Sequence, residues 1–120
     1  MLQSVSNCLP EEGCGLLAGL GNLVYEVIPV ENIEHSPIRY RIAPQDQLNA
    51  FIYIEDKGWD LLGIYHSHPN GPETLSETDL AEAYYPEAVY VIIAGKKTEW
   101  IIRGFSLQNK YPQEIEIKVF

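Results

Sequence analysis

The stretch DLLGIYHSHP, residues 60–69, is apolar at almost every position until it reaches two histidines separated by a single serine. A run without polar alternation reads as a strand covered on both faces, which places it in the middle of a sheet. On a strand, residues i and i+2 share a face, so His66 and His68 project together while Ser67 points away. Pro69 has no N–H and ends the strand, so the two imidazoles sit at the mouth of the sheet beside a loop. The chain holds three histidines and spends two of them here.

Outward from this strand, the pattern is mixed. GCGLLAGLGNLVYEVIPV, residues 13–30, carries two apolar runs around Gly19 to Asn22 and predicts a hairpin with strands near 13–18 and 23–30. PQDQLNAFIYIEDKG, residues 44–58, has apolar Leu48, Phe51, Ile52 and Ile54 ahead of Gly58, a helical stripe closed by a C-terminal glycine. A short helix is expected from Ser76 to about Tyr84, stopping before Pro86. EAVYVIIAG (87–95), TEWIIRGF (98–105) and EIEIKVF (114–120) give three further strands, the last with clear alternation. Strands interleaved with two or three helices make a layered α/β or α+β domain with the doubly apolar strand at its centre. No repeat, low-complexity tract or linker divides the chain, so residues 1–120 are expected to form one domain.

Composition excludes several classes of partner. With 17 acidic against 8 basic residues the net charge is −9, and the bases are scattered apart from Lys96-Lys97, which disfavours nucleic acid and anionic membrane surfaces alike. The longest apolar stretches, Leu16 to Leu20 and Ala88 to Ala94, fall far short of the roughly 18 residues of a spanning helix. The N-terminus lacks the pattern of a secretory signal, and Cys8 and Cys14 form neither a CxxC pair nor a disulfide framework. A soluble protein of a reduced, cytoplasmic compartment is the simplest reading.

Two histidines on one face suit one metal ion, and the turn-rich PNGPETL that follows can fold back to deliver Asp79 as a third ligand. Three protein ligands leave a coordination position open, the mark of a catalytic rather than structural zinc site. Iron or manganese stays open on ligand type. The plainer alternatives are common ones. SETD, Ser76 to Asp79, fits a helix-capping box, and an HxH pair by itself is a weak signal. What raises the odds is their combination at the end of a buried strand.

His66-Ser67-His68-Pro69, six residues, Ser76, two residues and Asp79 resembles the HxHP-x6-SxxD signature of the JAMM (MPN+, Mov34) zinc metalloproteases. PEEGCGLLAG, residues 10–19, is similar to the same family's PxExxGLLxG segment, and ENIEHSPIRYRIAPQDQL, residues 31–48, has the look of the linking region in its small prokaryotic members. The resemblance runs from about Leu9 to Gly95 and departs from the family in one way: only nine residues precede Pro10, where a fuller helix is expected.

The resemblance implies a curled, mostly antiparallel sheet flanked by helices, with one zinc ion per chain held by His66, His68 and Asp79. It assigns the general base to Glu12 rather than Glu11, and an extended chain gives a reason to separate them, since their side chains then point to opposite faces. It gives Ser76 the stabilisation of the oxyanion. The implied activity is hydrolysis of an amide or isopeptide bond after the Gly-Gly tail of a ubiquitin-like or sulfur-carrier protein, the tail lying along a free strand edge. The chain leaves no room for the insertions with which larger relatives grip ubiquitin chains. Rival readings are a non-catalytic interaction module of the same fold, a site closed by Cys14 as a fourth ligand, and a deaminase; the last lacks its PCxxC pair here.

Overall fold

In the computed structural model, which describes residues 1–76, 79–80, 85, 87–96, 99–107 and 111–118, the elements run α1 (Leu2–Cys8), β1 (Cys14–Leu20), β2 (Leu23–Val30), α2 (Pro44–Asp56), β3 (Asp60–His68), β4 (Val89–Lys96), β5 (Glu99–Ser106) and β6 (Gln113–Ile115). The strands form one sheet in the order β2-β1-β3-β4-β5-β6. β3 and β4 are parallel and the other neighbours antiparallel, so the sheet is mixed and mostly antiparallel, as expected. The apolar run of residues 60–68 is an inner strand flanked by β1 and β4.

Local chemistry explains the boundaries. β1 and β2 are joined through Gly21 and Asn22, and Gly21 takes the left-handed φ of 62° that so short a hairpin connection demands. α2 opens on Pro44, whose missing N–H costs nothing in a first turn, and its end is closed by Gly58 at φ 74°, whose N–H donates to the Glu55 carbonyl at 2.9 Å.

The period of two divides the core between two layers. Leu16, Ala18, Ile64 and Tyr90 meet Ala50 and Ile54 of α2 on one face. Leu17, Tyr65, Val91 and Ile93 meet Val5 of α1 on the other. A seven-residue α1 suffices where a fuller helix was expected, because Gly13 lets it approach at backbone distance: a Cβ there would lie 2.9 Å from the Val5 Cα. Gly15 likewise makes room for the Tyr65 ring, which a Cβ would meet at 2.4 Å.

The helical stripe needs correction. Leu48 and Ile52 are 52% and 49% exposed, and the residues that reach the sheet are Ala50, Phe51 and Ile54. With β1 and β3 already supplying bulky Leu16 and Ile64, the α2 face closest to the sheet takes a small residue, and the apolar surplus turns outward. Of EIEIKVF, Glu114 and Ile115 fall in the short exposed β6 at the sheet's margin, 116–118 are not in a strand, and 119–120 lie outside the described residues. Of the helix expected over 76–84, Asp79 and Leu80 are helical, and 77–78 and 81–84 lie outside the described residues. Among the described residues no helix is long and apolar enough to cross a membrane.

Candidate metal centre

The face carrying Ile64 carries His66 and His68 as well, where β3 leaves the apolar core and approaches the crossover to β4. Their neighbours on β4, Ile92 and Ala94, are buried and apolar, so the imidazoles are enclosed on that side. His66 is 0% and His68 5% exposed. Their Nε2 atoms lie 3.0 Å apart, and the Asp79 carboxylate closes the triangle, Oδ1 at 3.1 Å from His66 Nε2 and Oδ2 at 3.0 Å from His68 Nε2.

Asp79 gets there as a capping residue. The Ser76 N–H donates to Asp79 Oδ2 at 2.9 Å, and the Asp79 N–H donates to Ser76 Oγ at 3.0 Å, a reciprocal capping box. The capping and ligand readings of SETD are one geometry: the turn that satisfies the helix terminus also aims the carboxylate at the histidines. Ser76 Oγ accepts through a lone pair and keeps its own proton free to donate elsewhere.

The chemistry of the donor set asks for a cation. A carbonyl oxygen only accepts, so His68 Nδ1 is the donor in its 2.7 Å bond to Pro72 O. A neutral His68 then presents a lone pair at Nε2, facing a carboxylate oxygen and a second imidazole nitrogen at 3.0 Å each. Acceptors at that distance repel unless positive charge lies between them. A proton serves one such contact; a divalent ion serves three at once. The separations of 3.0 to 3.1 Å approach the roughly 3.3 Å edge of a tetrahedron with zinc–ligand bonds of about 2.0–2.1 Å. The residues fit a zinc-type ion.

Electrostatics separates two carboxyl groups. Burial works to raise Asp79, but hydrogen bonds with His66 and His68 and the Ser76 N–H outweigh it and hold the carboxylate well below the usual range. Burial lowers His66, whereas for His68 the hydrogen bonds to Asp79 and Pro72 overcome burial and raise it. Glu12 is 3% exposed, and its Oε1 has no hydrogen-bond partner among the described residues. Burial pushes its carboxyl up to about 8, tempered by His68 and reinforced by Asp79. Ligand atoms of Glu12, His66 and His68 all lie within 4.8 Å of one another. One acid is thus kept ionised and a neighbour is poised to take or give a proton near neutrality.

Glu12 and Glu11 do face apart. Glu11 reaches His35 Nδ1 at 3.2 Å in an exposed contact, while Glu12 turns into the site. Cys14, the rival fourth ligand, is buried with its Sγ 3.7 Å from the Val30 carbonyl, and burial pushes the thiol up to about 12.

Three residues that the sequence pattern did not single out as functional hold this arrangement. Ser67 does point away from the histidines, and there it clasps Gly13: its Oγ accepts from the Gly13 N–H at 2.8 Å and its N–H donates to the Gly13 carbonyl at 2.9 Å, fixing the residue beside Glu12. Asn32, buried in the loop 31–43, donates from Nδ2 to the carbonyls of Glu12 (3.0 Å) and Arg39 (2.8 Å), and its Oδ1 accepts from the N–H groups of Glu34 (3.1 Å) and Arg41 (3.0 Å). Tyr40 stacks on His66 with centroids 4.3 Å apart and planes at 21°. The tyrosine also lines a cavity of about 430 Å³ floored by Leu16, Ile64 and Tyr90. An asparagine just past the end of a strand, two residues after Val30, was the available signal for the loop anchor; nothing in the sequence marks Tyr40.

Comparison with known proteins places the chain in a family. A family model described as prokaryotic homologs of the JAB domain matches residues 1–107. The chain is 37% identical over 98 residues to a desampylase of Haloferax volcanii, covering 76% of this chain and 70% of the relative. It is 44% identical over 84 residues to a probable TtuB-protein conjugate cleaving protease of Thermus thermophilus, covering 69% of this chain and 55% of the relative. Among solved structures, a protein from Desulfitobacterium hafniense superposes with TM-score 0.86 at 32% identity, covering 98% of this chain and 84% of that one. A JAB1/MPN domain protein from Archaeoglobus fulgidus superposes with TM-score 0.62 at 19% identity over 98% of this chain and 87% of its own, a likeness of fold alone.

Proposed function

Because the chain belongs to the prokaryotic JAB-domain (JAMM/MPN+) family, we propose that it is a zinc-dependent peptidase or isopeptidase cleaving the amide bond that follows the Gly-Gly tail of a ubiquitin-like or sulfur-carrier protein. The observation that carries this reading is the convergence of His66 Nε2, His68 Nε2 and the Asp79 carboxylate, beside a buried Glu12 with an unpartnered oxygen. The names of the two relatives point to protein conjugates as the substrate class.

His66, His68 and Asp79 would hold the ion, one per chain. When bound, zinc supplies Lewis acidity to the scissile carbonyl and to the attacking water. Glu12 takes the proton from that water and returns it to the leaving amine; its raised pKa suits both halves of the exchange. Ser76, with its hydroxyl proton uncommitted in the capping box, donates to the oxyanion. Asn32 and Ser67 fix the backbone on either side of the Glu12–Gly13 peptide, so the base starts from one position. The ligand set and the base together favour an enzyme over a binding module of the same fold.

The test is elemental analysis of purified protein beside a His68→Ala variant, followed by cleavage of a ubiquitin-fold protein extended beyond its Gly-Gly terminus. About one zinc per chain, absent from the variant, with cleavage directly after the second glycine, is the expected result. A folded protein that takes up no zinc and leaves the fusion intact refutes the reading in favour of the binding module.

A further inference from the structure

The two histidines differ in how their far nitrogens are held. Metal-binding histidines almost always donate the second ring N–H to a carboxylate, a carbonyl or water, which fixes the tautomer and the ring plane. His68 does so, through Nδ1 to the Pro72 carbonyl at 2.7 Å. His66 does not: its Nδ1 is buried and has no hydrogen-bond partner among the described residues. What lies against the His66 ring is Tyr40, 4.3 Å away and 21° from parallel.

From this contrast we infer that Tyr40 is a positioning residue for His66, its stacked ring fixing the imidazole plane in place of the missing hydrogen bond. Rotation of His66 about its Cβ–Cγ bond would carry Nε2 away from Asp79 Oδ1, now 3.1 Å off, and an aromatic plane laid on the ring opposes that rotation. The stack needs only the face of the tyrosine. For it to position anything, Tyr40 must itself be fixed, and its neighbours on both sides are held by one side chain. Asn32 Nδ2 donates to the Arg39 carbonyl and Asn32 Oδ1 accepts from the Arg41 N–H. The same Nδ2 holds the Glu12 carbonyl, so one buried amide references the ring over His66 and the backbone of the acid to a common point.

The inference rests on the metal-centre reading, and the experiment tells the failure of one from the failure of the other. Tyr40→Leu, Tyr40→Phe and Asn32→Asp are compared with the unaltered chain in two measurements. In the metal-free protein, NMR of the His66 ring protons reports the ring current of a stacked aromatic. The upfield displacement is expected to persist in Tyr40→Phe, vanish in Tyr40→Leu and diminish in Asn32→Asp, which keeps the acceptor but loses the donor to Arg39 and Glu12. By chelator competition, zinc affinity is expected to fall about tenfold or more in Tyr40→Leu and to stay unchanged in Tyr40→Phe, as loss of a ligand's outer support predicts. Unaltered affinity in Tyr40→Leu, or a loss in Tyr40→Phe equal to that in Tyr40→Leu, overturns the assignment. Should Tyr40→Leu fail to fold, Asn32→Asp decides on the same two readouts. A parent chain that binds no zinc yet shows the ring current overturns the metal reading, and with it the positioning role, while leaving the stack itself established.

Discussion

Tyr65 and His66 are consecutive on β3 and equally inaccessible, each 0% exposed, yet they enter layers built on different terms. Tyr65 points toward α1 among Val5, Leu17, Val91 and Ile93, and its one polar atom meets Ser4 Oγ at 3.1 Å. His66 points the other way, into a pocket shared with His68, Glu12 and Asp79, where His66 Nδ1 and Glu12 Oε1 lack partners among the described residues. A buried polar atom left unpaired costs about 1–3 kcal/mol, so the second layer is a drain on stability that the first offsets. The contrast separates a layer closed by packing from the layer that holds the proposed metal site, and substitutions can test it in each.

The largest effect belongs to the polar layer. Glu12→Gln is expected to lower the turnover of a Gly-Gly-tailed substrate by about 10²- to 10⁴-fold while leaving the melting transition at or above that of the parent, because a buried acid is replaced by a neutral amide. Glu11→Gln, which alters an exposed contact with His35, is expected to change neither rate nor stability. Equal losses of rate from both would erase the distinction between the two glutamates.

Next comes the apolar layer. Tyr65→Ala should cost about 3–5 kcal/mol in denaturant unfolding, the range for deleting a buried aromatic ring. In the fraction that remains folded, zinc uptake should persist. Loss of metal without loss of stability would mean that the two layers are not separable.

Cys14 gives a smaller effect at the boundary between them. Its folded-state thiol is pushed up to about 12 by burial first, then by Cys8 and Glu12. A raised acid of this kind contributes stability that is complete below the ordinary thiol value of about 8.5 and is lost as pH rises through the folded value. Alkylation at pH 8 followed by mass spectrometry should label half-buried Cys8 first and reach Cys14 only in denaturant. Labelling of Cys14 in the native protein would show that the site is open from the β2 side.

Smallest of all is the rim. The Arg103–Glu114 pair, at 2.6 and 2.9 Å, joins β5 to β6 at the surface, and the hydrogen bond from Arg103 lowers the Glu114 carboxyl. Whatever it contributes is present above the ordinary glutamate value and fades as pH falls through the lowered one. Arg103→Gln is expected to leave thermal unfolding at neutral pH unchanged; a clear drop would give the edge strand more weight than its exposure suggests.

Much of the architecture was legible because it is local. Alternation along a strand puts His66 with His68, and unbroken apolarity identifies an inner strand; Glu11 and Glu12 face apart as well, but in the bend ahead of β1 and not on an extended strand. The hairpin and α2 announce themselves through glycine and proline. Where the sequence misled, tertiary packing overrode a local pattern: Leu48 and Ile52 belong to a plausible apolar stripe, but a sheet already crowded by leucine and isoleucine accepted Ala50 instead. EIEIKVF alternates like a strand, yet among its described residues Glu114 and Ile115 alone pair with β5. Tyr40, Asn32 and Ser67 were not read as functional because their roles are through-space. The first two sit in an irregular loop with no period, and the clasp between Ser67 and Gly13 spans 54 residues.

The contact between His68 and Asp79 joins residues only 11 apart, and Asn70 and residues 72–74 between them are exposed. In polymer terms this is a short loop closed at its ends, and closure entropy grows only with the logarithm of length, so doubling the loop adds about 0.6 kcal/mol. Asp79's aim is set by the capping box at its own end, not by the path taken to reach it. The connection is therefore pinned at single points rather than along its length: the Pro72 carbonyl must stay where it receives His68 Nδ1, while exposed Asn70, Glu73 and Thr74 can change without disturbing the triangle of ligand atoms.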